Sequence, residues 1–465
     1  MKAKYRVAAT AVVALATTVA FGQAQRQATP PRGGAIHLAE PAPAPAIREA
    51  VRPDDRNRLL TATQALFDGY VRDGKMPGIV GAFGVGDLPT QFVVAGRQGL
   101  EPDADPASPH TLWRVYSMTK PVTGMAAMIL VEDGKLKLDQ PISDFLPAFK
   151  SMKVLTDPDN SLASRPAARP ITVRHLLTHT AGLGYNIITK GPLLKEYERL
   201  GILPGTVNAQ VEAQARLVRP KSLTEFANRV ATLPLIADPG TKWSYSIGMD
   251  LMGAVIEKAS GTSFERFVAS RIFAPLGMNR SYWQVPADKK AWLATNYTFI
   301  GDRLVPLDPA ATSTFLDAPS FPYGGAGLVM SARDYDRFLH MLQNYGELDG
   351  VRVMKPETAR LAMSNLLPEG VFFTGIGGGT GGTQPPAPMG YGAGGSVYLV
   401  DKPNGPGKGT YGWGGAAGTI AWVDPARRTR GTVMVNYFPA ERWPTRAEIP
   451  AALAQDAARL HPARP

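Results

Sequence analysis

One stretch constrains this chain more than any other. From Thr111 it runs Thr-Leu-Trp-Arg-Val-Tyr-Ser117-Met-Thr-Lys120-Pro-Val-Thr-Gly, then continues apolar through Met125-Ala-Ala-Met-Ile-Leu-Val131 to Asp133-Gly134. A segment apolar on nearly every side forms a stable helix only when protein surrounds it, so the fold must wrap around this one. Gly134 is a suitable C-terminal stop, and Pro121 is tolerated because it falls in the first turn. The residues before it read as an extended lead-in with a sharp entry. Ser117 therefore sits at the mouth of a buried helix, where free N–H groups and the positive dipole end favour negative charge. Lys120, three residues on, shares its face.

In this Ser-x-x-Lys spacing an amine can take the serine proton, and no second copy of the spacing occurs in the chain. An ammonium drawn into a dry site loses solvation, which favours the neutral amine. The bland alternative is a capping serine beside an unrelated lysine.

A chain of 465 residues holds one large domain or two. The formal net charge is +11, but lysine and arginine are scattered, without the basic stripe and interleaved aromatics that mark nucleic-acid binding. Lys2, Lys4 and Arg6 precede an apolar Val7–Phe21 and the small residues Gly22-Gln23-Ala24. That order predicts a cleaved export signal over 1–24, no membrane span after its removal, and a periplasmic or secreted protein. The chain has no cysteine, which excludes disulfides and thiolate metal sites.

Residues 25–52, rich in Pro, Ala and Gln, read as a flexible leader. Asp54–Asp73 carries Leu59, Leu66, Phe67 and Tyr70 at helical spacing, and Ile79–Val85 and Phe92–Ala95 read as strands about a turn. Helical patterns then dominate to about residue 320, among them Met249–Ser260 and Ser263–Phe273. Gly377–Gly382 lies in a Gly/Pro-rich surface loop. Strands resume at Ser396–Val400, Thr419–Asp424 and Arg430–Tyr437, and a helix ending near Leu460 closes the chain with Pro450 in its first turn. The expected fold is α+β, an antiparallel sheet flanked by N- and C-terminal helices. Residues 53–116 plus 321–465 would form the sheet domain and 117–320 an inserted, mostly helical domain, with the site at their junction.

Two further segments carry chemistry. Pro239-Gly-Thr-Lys-Trp-Ser-Tyr245-Ser-Ile247-Gly-Met-Asp250 precedes a helix, where a tyrosine can relay a proton. In Gly412-Trp413-Gly414-Gly415-Ala416-Ala417-Gly418, two glycines let backbone approach a ligand, and the next N–H can meet a developing oxyanion.

Together with His175-Leu-Leu-Thr-His179-Thr-Ala-Gly-Leu183, these motifs make residues 55–460 resemble the serine β-lactamase-like hydrolases: penicillin-binding proteins, class C β-lactamases and family VIII carboxylesterases. The resemblance implies Ser117 as nucleophile, Lys120 as base, Tyr245 as proton shuttle, and an oxyanion hole from the Ser117 and Ala416 N–H groups. Substrate would meet Trp413, Gly414, Gly415, Ile247 and Tyr185. Two departures matter. Ile247 stands where lactamases carry an asparagine, and Trp413 stands where they carry the lysine of Lys-Thr-Gly. Losing an amide and a cation should weaken recognition of carboxylated amides and suit an uncharged acyl group, as in the family VIII esterases. Ester hydrolysis through an acyl-enzyme is thus expected, with weak β-lactam turnover beside it. The competing readings are a β-lactamase or D-amino-acid-specific peptidase, and a non-catalytic binder of cell-wall fragments.

His175 and His179 stand at i and i+4, but no third ligand lies near, so structural roles are expected and neither metal nor organic cofactor. No Gly-x-Ser-x-Gly occurs. Trp113, Tyr116, Tyr185, Tyr323 and Tyr411 are candidates to line a pocket, but each taken alone is expected in the core. The sequence leaves the acyl chain, the alcohol and the oligomeric state open.

Overall fold

The computed structural model describes residues 57–373, 375, 389–402 and 405–460. The glycine-rich 377–382 and the leader fall outside these residues, as does the export signal. Among the described residues no helix is long and apolar enough to cross a membrane.

The first helix among the described residues, α1 (Thr61–Arg72), buries Phe67 and Tyr70 as their spacing predicts. It begins later than expected, and Leu59 is exposed. The cause lies at the far end of the chain. Asp456 accepts hydrogen bonds from the Ala62 and Thr63 N–H groups at 2.8 and 3.0 Å, fixing the helix start there.

Strands β1 (Gly78–Val85) and β2 (Gln91–Gly96) form the expected hairpin. They belong to a seven-stranded antiparallel sheet completed by β3 (Met389–Tyr391), β4 (Ser396–Tyr398), β5 (Tyr411–Gly414), β6 (Ile420–Asp424) and β7 (Thr429–Met434), in the order β3-β4-β5-β6-β7-β1-β2. The β1–β7 ladder, with Val80 opposite Met434, is what makes both ends of the chain build one sheet. The expected final strand stops at Met434; Tyr437–Phe438 leaves the sheet to pair in parallel with Asn296–Ile300.

The apolar stretch is α2 (Thr119–Glu132), with 12 residues buried, and it packs against α3 (Gly248–Ser260). Gly124 is required where α2 meets the Gly392–Gly395 turn, since a Cβ would lie 2.1 Å from the Ala393 carbonyl oxygen. The last helix, α4 (Thr445–Leu460), starts early enough that Pro450 lies in its second turn. The expectation of a first-turn proline is corrected, at the loss of one main-chain hydrogen bond.

Candidate active site

The lead-in to Ser117 is locked from both sides. Arg114, fully buried, donates from Nε to Asp308 at 2.7 Å and from Nη2 to Ser313 Oγ at 2.9 Å. Its own N–H and C=O are bracketed by the Asn436 amide at 3.0 Å each. A charge this deep persists only because it is paired and its donors are used. Tyr116 then adopts φ +42°, a left-handed conformation costing a non-glycine residue about 1 kcal/mol. Its ring is held edge-on by Phe315 and Phe438, and Asn296 donates to its hydroxyl at 3.1 Å. The expected sharp entry is thus a 3-10 turn over Tyr116–Met118 that runs directly into α2.

Around the Ser117 hydroxyl the structure brings together two predicted partners. Tyr245 Oη donates to Ser117 Oγ at 2.7 Å, and Lys120 Nζ donates to it at 3.2 Å. Lys120 is fully buried; Nζ also donates to the Gly325 carbonyl at 2.7 Å and stands 4.5 Å from the centre of the Tyr245 ring. Tyr185 lies beside both, its ring centre 5.4 Å from that of Tyr245 and 5.6 Å from Lys120 Nζ. Burial drives the Tyr185 phenol well above its ordinary range, with the Asp250 charge adding to it.

The strand β5 carries Trp413 to within 5.9 Å of the Tyr245 ring. Beyond it, Gly415 lies so close to the residues before Ser117 that a Cβ would stand 2.4 Å from the Val115 carbonyl oxygen. Ala417 C=O accepts from Tyr437 N–H at 3.1 Å, fastening the turn and leaving Ala416 exposed. Gly414 faces the opposite way from Trp413, toward Arg446. Ile247 is fully buried at the start of α3, and its N–H donates to Gly184 C=O at 3.1 Å. Its side chain packs within the hydrophobic core.

The two histidines serve the local backbone. His175 Nδ1 accepts from Thr172 N–H at 3.2 Å, completing a capping box on the helix Val173–Leu177. His179 Nδ1 accepts from Ser246 N–H at 3.2 Å, one residue from Tyr245, which puts the proton of the neutral ring on Nε2. Burial holds the His179 pKa well below its ordinary value, with Lys120 adding to the effect, so the ring is neutral.

Sequence reasoning missed Asp250. It lies wholly inside the protein and accepts from Gly325 N–H at 2.9 Å, while its second oxygen has no partner among the described residues. Gly325 thus touches Asp250 through its N–H and Lys120 through its C=O. Burial raises the Asp250 carboxyl to about 6, against the opposing pull of Lys120. The available signal was an acid on the apolar face Met249–Ile256. Also missed was an aromatic wall of Trp243, Phe373 and Tyr391 around Tyr245 and Trp413, with ring centres 4.8–6.3 Å apart.

A family model described as beta-lactamase matches residues 63–455. Esterase EstB of Burkholderia gladioli is 31% identical over 394 residues, covering 80% of this chain and 89% of the relative. Lovastatin esterase of Penicillium rubens is 31% identical over 331 residues, 66% of this chain and 74% of the relative. Among solved structures, EstCE1, a hydrolase with promiscuous acyltransferase activity, superposes with a TM-score of 0.68 at 24% identity, covering 85% of this chain and 98% of that one.

Proposed function

The chain belongs to the beta-lactamase family, and from that premise we propose that it is a serine hydrolase that cleaves carboxylic esters through an acyl-enzyme on Ser117. The observation that carries this reading is the 2.7 Å contact of Tyr245 Oη with Ser117 Oγ, with Lys120 Nζ at 3.2 Å. The esterase relatives support the ester as the bond attacked.

The Ser117 oxygen attacks the ester carbonyl carbon while its proton passes to Lys120, directly or through Tyr245. The N–H groups of Ser117 and Ala416 hold the oxyanion. As the tetrahedral centre collapses, the C–O bond breaks and the alcohol departs with the proton returned by the Lys120–Tyr245 pair. Water then adds to the acyl carbon, giving its proton to the same pair, and the acid leaves as Ser117 is restored. An alcohol in place of that water gives acyl transfer, a second outcome favoured by the EstCE1 likeness.

The charged, apolar and small-residue order of residues 1–24 supports export to the periplasm or medium. The division into 53–116 plus 321–465 and 117–320 is likewise our reading, supported by a sheet whose strands all lie outside 117–320.

Steady-state rates on p-nitrophenyl butyrate and nitrocefin test the assignment. With no amide or cation supplied by Ile247 and Trp413, kcat/KM for the ester is expected to exceed that for the lactam by roughly 100-fold, about 3 kcal/mol of transition-state binding. A preference for nitrocefin would make the protein a β-lactamase. Failure of a fluorophosphonate probe to label the native protein would favour the non-catalytic binder.

A further inference from the structure

One residue of the 175–183 motif encloses Tyr245. Ser244 N–H donates to the His179 carbonyl oxygen at 2.9 Å, and Ser246 N–H donates to His179 Nδ1 at 3.2 Å. The residues on either side of Tyr245 are therefore tied to a single partner, one through its main chain and the other through its ring. With Nδ1 an acceptor, the Ser246 hydroxyl donates to it at 2.9 Å and accepts from Gly248 N–H at 3.3 Å, which joins the ring to the start of α3. The His179 ring also packs against the Tyr245 ring, with centres 4.9 Å apart.

Two features of His179 are costly for a residue that only fills space. Its φ is +57°, a left-handed conformation. Its ring is wholly buried while Nε2 has no hydrogen-bond partner among the described residues, and a buried donor left unpaired is destabilising. A leucine there would avoid the second cost but offer Ser246 no acceptor. Burial and the Lys120 charge hold the ring neutral, so Nδ1 stays an acceptor. The placement it secures is a demanding one. Tyr245 Oη lies 2.7 Å from Ser117 Oγ, and a shift of about 1 Å at a reacting group can slow a reaction by about 100-fold.

We propose that His179 is a positioning residue for Tyr245: by holding Ser244 and Ser246 from one side, it sets the phenol on the Ser117 hydroxyl. This rests on the esterase reading above, and His179 acts through Tyr245 rather than on substrate.

A double-mutant cycle on p-nitrophenyl butyrate tests it. His179→Phe keeps a ring and removes the acceptor; kcat is expected to fall by about 10- to 100-fold with KM little altered. His179→Asn tolerates the left-handed backbone and returns an acceptor oxygen near the place of Nδ1, so it should recover most of the loss. Tyr245→Phe alone should cost about 10²- to 10⁴-fold. In that background His179→Phe should cost less than about 3-fold more, because no phenol remains to be placed. Should His179→Phe not fold, Ser246→Ala is the milder variant, since it removes the hydroxyl and keeps the main-chain bond. It is expected to lower kcat by about 3- to 10-fold, again only while the phenol is present. A loss of more than about 3-fold in the Tyr245→Phe background overturns the inference, because a residue that only stabilises the fold is indifferent to the phenol. So does an Asn variant as slow as the Phe one, a rise in KM alone, or constants left unchanged. Native protein inactive on every ester, or Tyr245→Phe as fast as native, would instead sink the reading of Tyr245 as proton shuttle, and this inference with it.

Discussion

Ser117→Ala is expected to lower kcat/KM on p-nitrophenyl butyrate by about 10⁵-fold, with thermal unfolding little changed. The size follows from removing the atom proposed to form the covalent bond: on that reading remaining catalysis comes only from binding and the oxyanion donors, and loss of a nucleophile commonly costs about five to six orders of magnitude. The fold should tolerate the change. Ser117 is only half-buried and caps no helix. Lys120 keeps its bond to Gly325, and the Arg114–Asp308–Asn436 framework that shapes the turn is untouched. Kinetics on the variant, with fluorophosphonate labelling beside native protein, provide the check. A loss below about 100-fold, or equal labelling of both proteins, would mean that another group attacks the carbonyl.

The parts of this molecule legible in the sequence are those whose cause is local. The apolar run of α2 announces a buried helix, and the Ser117–Lys120 spacing survives folding because a turn and a helix both keep residues three apart together. The β1–β2 hairpin is readable because its turn residues lie between its strands. What escaped is set by partners far along the chain. The start of α1 depends on Asp456, almost four hundred residues away. The strand Tyr411–Gly414 has two glycines in four residues and little intrinsic β preference, yet the ladder with Ile420–Asp424 makes it a strand. Tyr116 shows no sign in sequence of its positive φ, which the Phe315, Phe438 and Asn296 contacts impose. Motifs therefore point to the groups proposed to react, and tertiary contacts supply the charges around them.

Asp250→Asn is expected to make the protein more stable and slower. An Asp whose carboxyl is raised from 3.8 to about 6 by folding binds its proton more tightly in the native state. Its ionisation therefore opposes folding: the penalty is absent below about pH 3.8, grows as pH rises, and is complete above about pH 6. The difference of about 2 pKa units corresponds to roughly 3 kcal/mol at pH 8, and to about 1 kcal/mol at pH 4.5. Asparagine keeps an oxygen for Gly325 N–H, and its NH2 replaces an oxygen that already lacks a partner among the described residues, so little is lost in exchange. Denaturant unfolding at the two pH values should show the variant more stable at both, with the larger gain at pH 8. Activity should move the other way. In the proposed mechanism Lys120 holds the serine proton, and Asp250, one glycine away, is the anion that offsets that charge. Its removal should lower kcat by about 10- to 100-fold with KM little altered, the sign of an interaction made in the transition state. A variant less stable than native at pH 8 would reverse the argument. It would show that the attraction of Lys120 for the Asp250 carboxylate outweighs the cost of burying that charge.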